Sequence, residues 1–429
     1  AMLRLLYRIV LNLGVWPATL LLTLRARRQG DAAGRWPERL GWVRRMERPI
    51  AVWVHAASLG EVVAARPLID ALVARHGEGS IWITTMTTTG SQAVRDIWGQ
   101  RVRHSYVPFD LPGMVRRFMH RVQPQVCLVL ETELWPHLFA VLAQRRIPLF
   151  IANARLSPRS LRGYDRIRGS IAKVLQQVTL VATQSEADAL RFRSLGAPNV
   201  VCAGNIKFDL TPPEAALQRG RQWREALGSR PVWIAASTHD GEEAAVLAAH
   251  RDLLRWYPDA CLVLVPRHPQ RFEAVARALD RDGWRYARRS GFSDAAEIPS
   301  DTPLLLGDST GEMFAYLAMA DVAFIGGSLV EVGGHNLLEP ASIGLPVLFG
   351  PHMFHFVDAR RLLVDAGGAQ EVASAQDLAV DIAALFAEPD TRATMGQAAA
   401  EAVAANRGAV ARHLALLDEV RATWPPTVG

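Results

Sequence analysis

The feature that most constrains this chain is a series of short apolar runs separated by segments of helix length. The runs are rich in Val, Ile and Leu, and they are continuous rather than alternating, which is typical of strands buried on both faces of a sheet. We therefore expect a parallel α/β architecture. Eleven strands are predicted, at residues 51–55, 81–86, 102–107, 126–130, 147–152, 178–183, 199–203, 231–236, 260–265, 321–326 and 345–349.

The strand series pauses once, at about residues 208–230, which predicts a linker between two domains. A Pro-Pro pair at 212–213 begins the pause, and a polar stretch of helical composition follows it. Since both halves alternate strands with helices, two Rossmann-like domains are expected, with a ligand-binding cleft between them. After residue 372 the chain is Ala-rich and predicted to be helical, with breaks at Gly396 and Gly408.

The formal charge of +6 would suit a nucleic-acid partner, but its distribution argues against one. Residues 1–50 contain ten arginines and only three acidic residues, a net of +7. The other 379 residues carry a net charge of −1, so the body of the protein offers no excess of positive charge to a phosphate backbone. We expect no nucleic-acid partner. The three cysteines lack the spacing of a disulfide scaffold or a zinc site.

Residues 9–24 form an uncharged, largely apolar segment with arginines on both sides. These sixteen residues are fewer than the roughly 20 that a helix needs to cross the hydrocarbon of a bilayer. A signal peptide and a buried core helix are alternatives, but the segment has no small-residue cleavage site and runs into a basic cluster. We favour a membrane-associated helix in the cytoplasmic leaflet, where the arginines would attract anionic headgroups.

Carboxylates follow two predicted strands of the first domain. Glu61, in HAASLGE, stands near the start of a helix, where it could act as a general base or simply complement the helix dipole. Glu131 and Glu133, in ETELWP, come directly after strand 126–130. They could cap a helix, or one of them could support the base or bind a sugar hydroxyl.

Cations follow other strands. Lys207, in GNIKFD, is one of only two lysines in an arginine-dominated chain, which favours a role beside a phosphate or carboxylate over a solvated surface lysine. Arg267, in PRHPQR, suits the same kind of anion. Arg155, in NARLSP, could also face an anionic substrate, although Ser157 there is typical of a helix cap.

His239 and His268 each follow a predicted strand and could in principle form a pair of metal ligands. No acid–histidine spacing of a metal site accompanies them. We therefore expect no bound metal.

The strongest local signal lies in a glycine-rich segment of the second domain. Glycine pairs at 326–327 and 333–334 allow a backbone to approach a ligand closely, and a helix expected to begin near the second pair would direct amides at an anion. Asn336 and Glu339 are three residues apart, so they are expected on one helix face, where a carboxylate can accept both hydroxyls of a ribose. The alternative is a plain glycine turn with a capped helix.

These residues together predict a nucleotide bound mainly by the second domain and an acceptor handled by the first. Neither a G-x-G-x-x-G sequence nor a P-loop lysine occurs. Their absence argues against a dehydrogenase and a P-loop kinase.

Eight segments, in this order along essentially the whole chain, closely resemble those of the bacterial Kdo transferases. This family consists of the 3-deoxy-D-manno-octulosonic acid transferases of lipopolysaccharide inner-core synthesis. The segments are HAASLGE, ETELWP, NARLS, GNIKFD, STHDGEE, PRHPQRF, GDSTGEM and GGSLVEVGGHNLLEP.

The resemblance implies a GT-B glycosyltransferase that transfers Kdo from CMP-Kdo to lipid IV-A, a lipid A precursor. The implied reaction is inverting and uses neither a metal nor a cofactor, and the enzyme would lie at the cytoplasmic face of the inner membrane. The expected parts are a membrane-associated helix with a basic segment (1–48), an acceptor-side domain (49–210), a nucleotide-sugar-binding domain (211–405) and a C-terminal helix returning to the first domain (406–429).

The resemblance also implies roles for single residues. Glu61 would be the general base on the acceptor hydroxyl, and Glu131 an acidic residue tied to activity. Lys207 and Arg267 would contact the phosphate and the donor. The residues that resemble the family's nucleotide-binding residues are Met313, Ser328, Asn336 and Glu339.

The chain departs from the family pattern at His137 and His355, where the family usually has asparagine. Neither histidine is among the residues whose roles the resemblance implies. The chemistry agrees with the assignment, because a helix N-terminus with Lys207 and Arg267 can stabilise one departing phosphate without a divalent ion. The alternative is a GT-B enzyme, transferase or epimerase, that uses a UDP-sugar.

Overall fold

A computed structural model describes residues 35–423 of the chain. The described residues form two compact units: 35–209 together with 407–423, and Leu210–Asn406. The helix predicted at residues 9–24 lies outside the described residues. Within the part that is described, no helix combines the length and the apolar character needed to cross a membrane.

The first unit contains a sheet of seven parallel strands in the order β3-β2-β1-β4-β5-β6-β7. The strands are β1 (Val52–His55), β2 (Ile81–Thr85), β3 (Arg103–Tyr106), β4 (Cys127–Leu130), β5 (Leu149–Ala154), β6 (Leu180–Thr183) and β7 (Val200–Cys202). Its helices up to the linker are α1 (Trp36–Arg39), α2 (Leu59–Ala64), α3 (Arg66–His76), α4 (Thr88–Trp98), α5 (Pro112–Val122), α6 (Pro136–Gln144), α7 (Pro158–Asp165), α8 (Arg168–Leu175) and α9 (Glu186–Ser194).

Apolar layers on both faces of this sheet account for its continuous apolar strands. Along β1, Val52 and Val54 pack into one core layer and Trp53 into the opposite layer, because successive side chains of a strand point to opposite faces. Trp53 is fully buried, and its indole N–H donates to Thr84 Oγ1 at 2.9 Å. The large side chain therefore enters the core without leaving a polar atom unpaired.

The second unit repeats this architecture, with seven parallel strands in the order β10-β11-β9-β8-β12-β13-β14. The strands are β8 (Val232–Thr238), β9 (Cys261–Pro266), β10 (Ala287–Arg288), β11 (Leu304–Leu306), β12 (Val322–Ile325), β13 (Val347–Phe349) and β14 (Ala369–Glu371). The helices are α10 (Glu214–Leu227), α11 (Glu243–Trp256), α12 (Phe272–Arg281), α13 (Met313–Ala318), α14 (Leu338–Ser342), α15 (Val357–Asp365), α16 (Ala375–Ala387) and α17 (Pro389–Ala405).

The eleven predicted strands are all present, but three strands of the second unit were missed. The missed strands, β10, β11 and β14, contain only two or three residues each. Two of them, β10 and β14, lie at the sheet edges and are not fully buried. Segments this short carry too few residues for an apolar run to stand out.

The break predicted at Gly396 is wrong, whereas Gly408 does separate two helices. Gly396 lies buried inside α17, where an added Cβ would come 2.1 Å from the carbonyl oxygen of Gly344. The glycine therefore serves a close approach of two backbones rather than a helix end. Gly408, with a φ of +91°, stands between α17 and the last helix, α18 (Ala409–Thr423).

The last helix, α18, belongs to the first unit. The carboxylate of Asp209 accepts from the backbone N–H groups of Gly408 at 2.6 Å and Val410 at 2.5 Å, which caps the start of α18. The buried His413 of α18 accepts from the backbone N–H of Asn153, at the end of β5, at 2.9 Å. These bonds fix the helix to the same unit as β1 to β7.

Candidate functional site

Each sheet reverses its strand order at one place, and the loops beyond the strand ends at such a place commonly bind ligands in open α/β sheets. The reversal lies between β1 and β4 in the first unit and between β8 and β12 in the second. Glu61 and Glu131 follow β1 and β4, while His239 and the glycine-rich segment follow β8 and β12. Candidate residues therefore form one cluster in each unit.

Glu61 is the third residue of α2, directly beyond β1. The Ser58 hydroxyl accepts from the backbone N–H of Glu61 at 3.4 Å, and Glu61 Oε2 accepts from the backbone N–H of Ala57 at 2.6 Å. This reciprocal arrangement is similar to a capping box. The Ala57 amide thus holds the Glu61 carboxylate in place. This contact is compatible with both interpretations of Glu61, as a helix cap and as a general base.

The environment of Glu61 strongly disfavours its charged form. Burial raises the pKa of Glu61 from 4.5 to about 8, and the negative charge of Glu131 adds to the rise. The Ala57 amide opposes the rise, Glu133 adds a smaller increase, and the ammonium of Lys207 lowers the pKa slightly. A carboxyl group with a pKa near 8 gains and loses its proton around neutral pH, as a general acid or base must.

Glu131 and Lys207, which the sequence singled out separately, form an ion pair. Glu131 has a φ of +56°, an uncommon conformation for a residue other than glycine. Its Oε1 lies 3.3 Å from Lys207 Nζ. The backbone before Lys207 is fixed because the Ile206 N–H donates to Asn153 Oδ1 at 3.1 Å. The side chain of Lys207 is 38% exposed, so its ammonium keeps donors for a second anion.

Glu133 adds a third carboxyl group to this cluster. Burial, together with the charge of Glu131, raises the pKa of Glu133. Glu131 therefore raises the pKa of both neighbouring acids, while the ammonium of Lys207 pairs with Glu131 and lowers the pKa of Glu61. Because like charges in a partly buried site disfavour simultaneous ionisation, Glu61, with a pKa near 8, keeps its proton at neutral pH.

His55, at the end of β1, is a buried histidine to which sequence reasoning gave no role. It is fully buried, and its Nδ1 lies 2.9 Å from Thr84 Oγ1, while Nε2 has no hydrogen-bond partner within residues 35–423. Burial lowers the pKa of His55 to about 4, so the ring is neutral at pH 7. His55 is the first residue of HAASLGE, but its spacing from other residues did not distinguish it from a histidine of the core.

In the second unit, the backbone amides from Gly327 onward already donate to a carboxylate of the protein itself. The fully buried carboxylate of Glu242 accepts from the backbone N–H groups of Gly327 at 2.7 Å, Ser328 at 3.1 Å and Leu329 at 3.0 Å. It also accepts from the His239 N–H at 3.2 Å. Glu242 thus ties the loop after β8 to the loop after β12, and sequence reasoning gave it no role.

The side chain of Ser328 is also engaged internally. Ser328 is fully buried, and its hydroxyl donates to the Ile325 carbonyl and accepts from the backbone N–H of Gly350 at 2.8 Å. The hydroxyl joins the end of β12 to the end of β13. A contact between Ser328 and a nucleotide stays a prediction.

The helix expected to begin near Gly334 begins at Leu338 instead and contains five residues. Gly333 and Gly334 have φ values of +105° and +80°, which a right-handed helix excludes. A Cβ on Gly333 would come 2.5 Å from His355 Nδ1, and one on Gly334 would come 2.1 Å from Met353 Sδ. The second glycine pair therefore lets the loop pack against these side chains.

Asn336 and Glu339 are nevertheless brought together with Arg267. Asn336 Oδ1 accepts from the Leu338 N–H at 2.9 Å, and its Nδ2 lies 3.4 Å from Glu339 Oε1. Burial raises the pKa of Glu339, while the Asn336 amide and the charge of Arg267 oppose the rise. The guanidinium of Arg267 is exposed beyond β9. Three of the predicted donor residues thus share one cluster.

Three histidines lie beside Arg267. The parallel rings of His239 and His335 meet edge to edge, with centroids 4.9 Å apart and Nε2 atoms 2.6 Å apart, and His268 packs edge-on against His239. Burial and the neighbouring histidines and Arg267 lower the pKa of His335 to about 3, so one neutral ring donates to the other. Within residues 35–423, no group of three or more His, Cys, Asp or Glu is arranged to hold a metal ion.

Met313 is the half-buried first residue of α13. The preceding Glu312 accepts from Arg289 at 2.9 Å, from Arg219 at 2.8 Å and from the Ser309 hydroxyl at 2.5 Å. Burial would raise the pKa of Glu312, but these bonds hold it below its usual value. The ion-paired network fixes the helix start that carries Met313.

The two departures from the family pattern both have local partners. The backbone N–H of His137 donates to Asp110 Oδ2 at 3.1 Å, and its Nδ1 lies 3.5 Å from the same carboxylate. The ring of His355 packs edge-on against Phe354 with centroids 4.7 Å apart. Both histidines thus have a place in the packing of their loops.

Comparison with known proteins gives the same family over most of the chain. A family model described as 3-deoxy-D-manno-octulosonic-acid transferase (kdotransferase) matches residues 34–210. A 3-deoxy-D-manno-octulosonic acid transferase of Haemophilus influenzae is 43% identical over 377 residues, covering 86% of this chain and 87% of the relative. The enzyme of the same name from Bordetella pertussis is 38% identical over 413 residues, covering 92% and 94%.

A solved structure supports the fold. A glycosyltransferase from Rickettsia africae matches 88% of this chain and 99% of its own, with a TM-score of 0.54 and 12% sequence identity. With the two parallel sheets, this likeness confirms a GT-B-like α/β fold. The relatives described above establish the family: the chain belongs to the 3-deoxy-D-manno-octulosonic acid (Kdo) transferases, which are glycosyltransferases.

Proposed function

We propose that this protein transfers Kdo from CMP-Kdo to lipid IV-A with inversion, and that Glu61 is the general base. The observation that carries the proposal is the state of Glu61, which lies beyond β1 at the strand-order reversal with a pKa raised to about 8. The Ala57 amide, 2.6 Å away, orients the carboxylate. In its ionised form, which predominates above about pH 8, such a group is a stronger base than an ordinary carboxylate.

The proposed step is a single displacement. The acceptor hydroxyl oxygen attacks the anomeric carbon of Kdo from the face opposite CMP, and its proton passes to Glu61. The bond between that carbon and the phosphate oxygen breaks, and CMP leaves with the electron pair. One displacement from the opposite face inverts the configuration at the anomeric carbon.

Each unit offers a cation to an anion of the donor. Among residues 35–423, Lys207 forms an ion pair with Glu131 alone, and its side chain is 38% exposed, which leaves ammonium donors for a phosphate oxygen. The guanidinium of Arg267 has no ion pair within residues 35–423, so it is available to a phosphate or a carboxylate. Positive groups of this kind stabilise charge that develops on a leaving group.

The second unit supplies a polar cluster suited to a nucleotide. Asn336 and Glu339 lie together at the start of α14, and a half-buried carboxylate there can accept both ribose hydroxyls. Burial raises the pKa of Glu339, and two donated hydrogen bonds would favour its ionised form. We infer that this cluster binds CMP.

Apolar side chains beside Glu61 support a lipid acceptor at the membrane. Leu59 and Val63, four residues apart on α2, are 37% and 54% exposed, and Met86 beyond β2 is 37% exposed. Trp36 and Trp42 are also exposed, and the guanidinium of Arg117 stacks on the Trp42 ring. Exposed tryptophans with arginines suit a bilayer interface. We infer that the enzyme acts at the cytoplasmic face of the inner membrane.

The test is transfer by the purified full-length protein in detergent, with CMP-Kdo and lipid IV-A. The proposal expects a Kdo-bearing lipid by mass spectrometry, an inverted anomeric linkage by NMR, and undiminished turnover in EDTA. A parallel titration compares CMP with UMP, and CMP should bind more tightly. Turnover of a UDP-sugar in place of CMP-Kdo would contradict the proposed donor, and a retained configuration would contradict inversion. Loss of activity in EDTA that a divalent metal restores would contradict the metal-independent reaction.

A further inference from the structure

One face of α7 carries three arginines without acidic partners. Arg159, Arg162 and Arg166 are spaced by three and four residues, so they lie on one side of the helix and its C-terminal cap, and all three are exposed. No carboxylate within residues 35–423 forms an ion pair with any of them. The stretch 155–168 contains five arginines and a single acidic residue.

This differs from helix α9 of the same unit, whose arginines are paired. Arg191 lies 3.2 Å from Asp188, and Arg193 lies 2.8 Å from Glu186. Three like charges on adjacent helical turns repel one another unless an anion is bound. The unpaired face of α7 therefore fits a ligand with concentrated negative charge, and a phosphate matches the planar guanidinium fork.

The opposite face of α7 joins it to the carboxylate cluster. Leu161 and Tyr164 pack against the same core as Leu134 and Trp135, which belong to the segment ETELWP. The Thr132 hydroxyl, between the two acids of that segment, donates to the Arg155 carbonyl. The arginine face is thus carried by a helix that is packed against the loop holding Glu131.

We propose that Arg159, Arg162 and Arg166 form a binding site for a phosphate group of the lipid acceptor. The inference rests on the proposed function, since it concerns how the acceptor is held for attack. A guanidinium–phosphate contact at this helix would position the lipid headgroup beside the carboxylate cluster, with its acyl chains left to apolar surface or bilayer. The three residues are acceptor-binding residues and take no part in proton transfer.

The test compares the triple variant Arg159→Gln, Arg162→Gln, Arg166→Gln with wild type in neutral detergent micelles. The acceptors are lipid IV-A and the same lipid with its phosphates removed singly and together. A matched control, Arg255→Gln, Arg277→Gln, Arg361→Gln, removes three exposed charges from helices of the second unit. For lipid IV-A, the triple variant should show a kcat/KM for the acceptor lowered on the order of 10- to 100-fold, as expected when charged donors to a phosphate are lost.

The same comparison must show that the loss depends on phosphate. With the fully dephosphorylated lipid, the triple variant and wild type should have equal kcat/KM, and the KM for CMP-Kdo should be unchanged throughout. An equal loss with both lipids, or the same loss in the control variant, would overturn the proposal. A loss that appears only on vesicles containing anionic phospholipid would assign the face to the bilayer instead.

Direct binding separates failure of this inference from failure of the proposed function. Wild-type transfer to lipid IV-A tests the proposed function alone. Equilibrium binding of each radiolabelled lipid to wild type and to the triple variant tests the arginine site whether or not transfer occurs. Equal affinity of both proteins for phosphorylated lipid would refute the site.

Discussion

Replacing Glu131 with glutamine should move the pH dependence of transfer toward acid. The rise in the pKa of Glu61 from 4.5 to about 8 corresponds to roughly 5 kcal/mol against its charged form, at 1.36 kcal/mol per pKa unit. Burial is the largest cause, and the charge of Glu131 is the next. Glutamine has nearly the same shape, so Glu131→Gln removes the charge while leaving the burial in place.

Loss of that charge acts on Glu61 in two ways that add. The direct repulsion disappears, and Lys207, freed from its 3.3 Å ion pair, becomes a stronger influence on Glu61. Neighbouring charges of this kind shift a pKa by about 1 unit or more. We therefore expect the apparent pKa for activation of kcat/KM to fall from about 8 in the wild type by about 1 unit.

The assay is the pH profile of kcat/KM for lipid IV-A from pH 5.5 to 9.5, which reports groups of the free enzyme. The control is Glu186→Gln, which removes an equal charge from an exposed ion pair on α9. Its profile should match that of the wild type. The plateau rate of Glu131→Gln does not enter the comparison. An unchanged apparent pKa in Glu131→Gln would refute the coupling between Glu131 and Glu61.

Three further predictions concern stability. Glu61→Gln should stabilise the protein at pH 8.5 but not at pH 4.5. Because folding raises the pKa of Glu61 from 4.5 to about 8, ionisation of this side chain destabilises the fold increasingly as the pH rises from 4.5 to 8. The melting temperature of the variant should therefore exceed that of wild type at pH 8.5 only. Burial lowers the pKa of His250 from 6.5 to about 4, so the free energy of unfolding should fall by about 3 kcal/mol as the pH drops from 6.5 to 4. Urea titrations should show a smaller loss of stability at acid pH in His250→Gln than in wild type. Equal losses would contradict this prediction. Asp209→Ala should lower the free energy of unfolding by about 1–2 kcal/mol through loss of the α18 cap, while Asp418→Ala, which breaks an exposed pair with Arg75, should change it by less than about 1 kcal/mol.

The larger strands were predictable because burial on both faces leaves a continuous apolar run, as in Cys127–Leu130 of β4. The short edge strands β10 and β14 were not, because two or three residues carry no such run. Gly396 shows a different limit. A glycine in a helical stretch predicts a break, yet here it permits contact with Gly344, about 50 residues away in the sequence.

The candidate residues could be marked one by one in the sequence, but their arrangement could not. Strand ends and residue type marked Glu61, Glu131 and Lys207, whereas the ion pair that links the last two joins positions 76 residues apart. Glu242 was missed for the same reason, since the amides that it accepts from lie about 85 residues further along the chain. Local patterns identify the amides that need an acceptor, and only the fold identifies the acceptor.

The most direct test of the account is the single-turnover rate of Kdo transfer by Glu61→Gln, with CMP affinity measured on the same protein. Glutamine keeps an oxygen that can accept from the Ala57 N–H at 2.6 Å, so the loop should be preserved while the base is removed. The account predicts a rate lowered by about 10²- to 10⁴-fold with an unchanged Kd for CMP. A rate close to that of the wild type, in a variant that binds CMP normally, would contradict the assignment of Glu61 as the base.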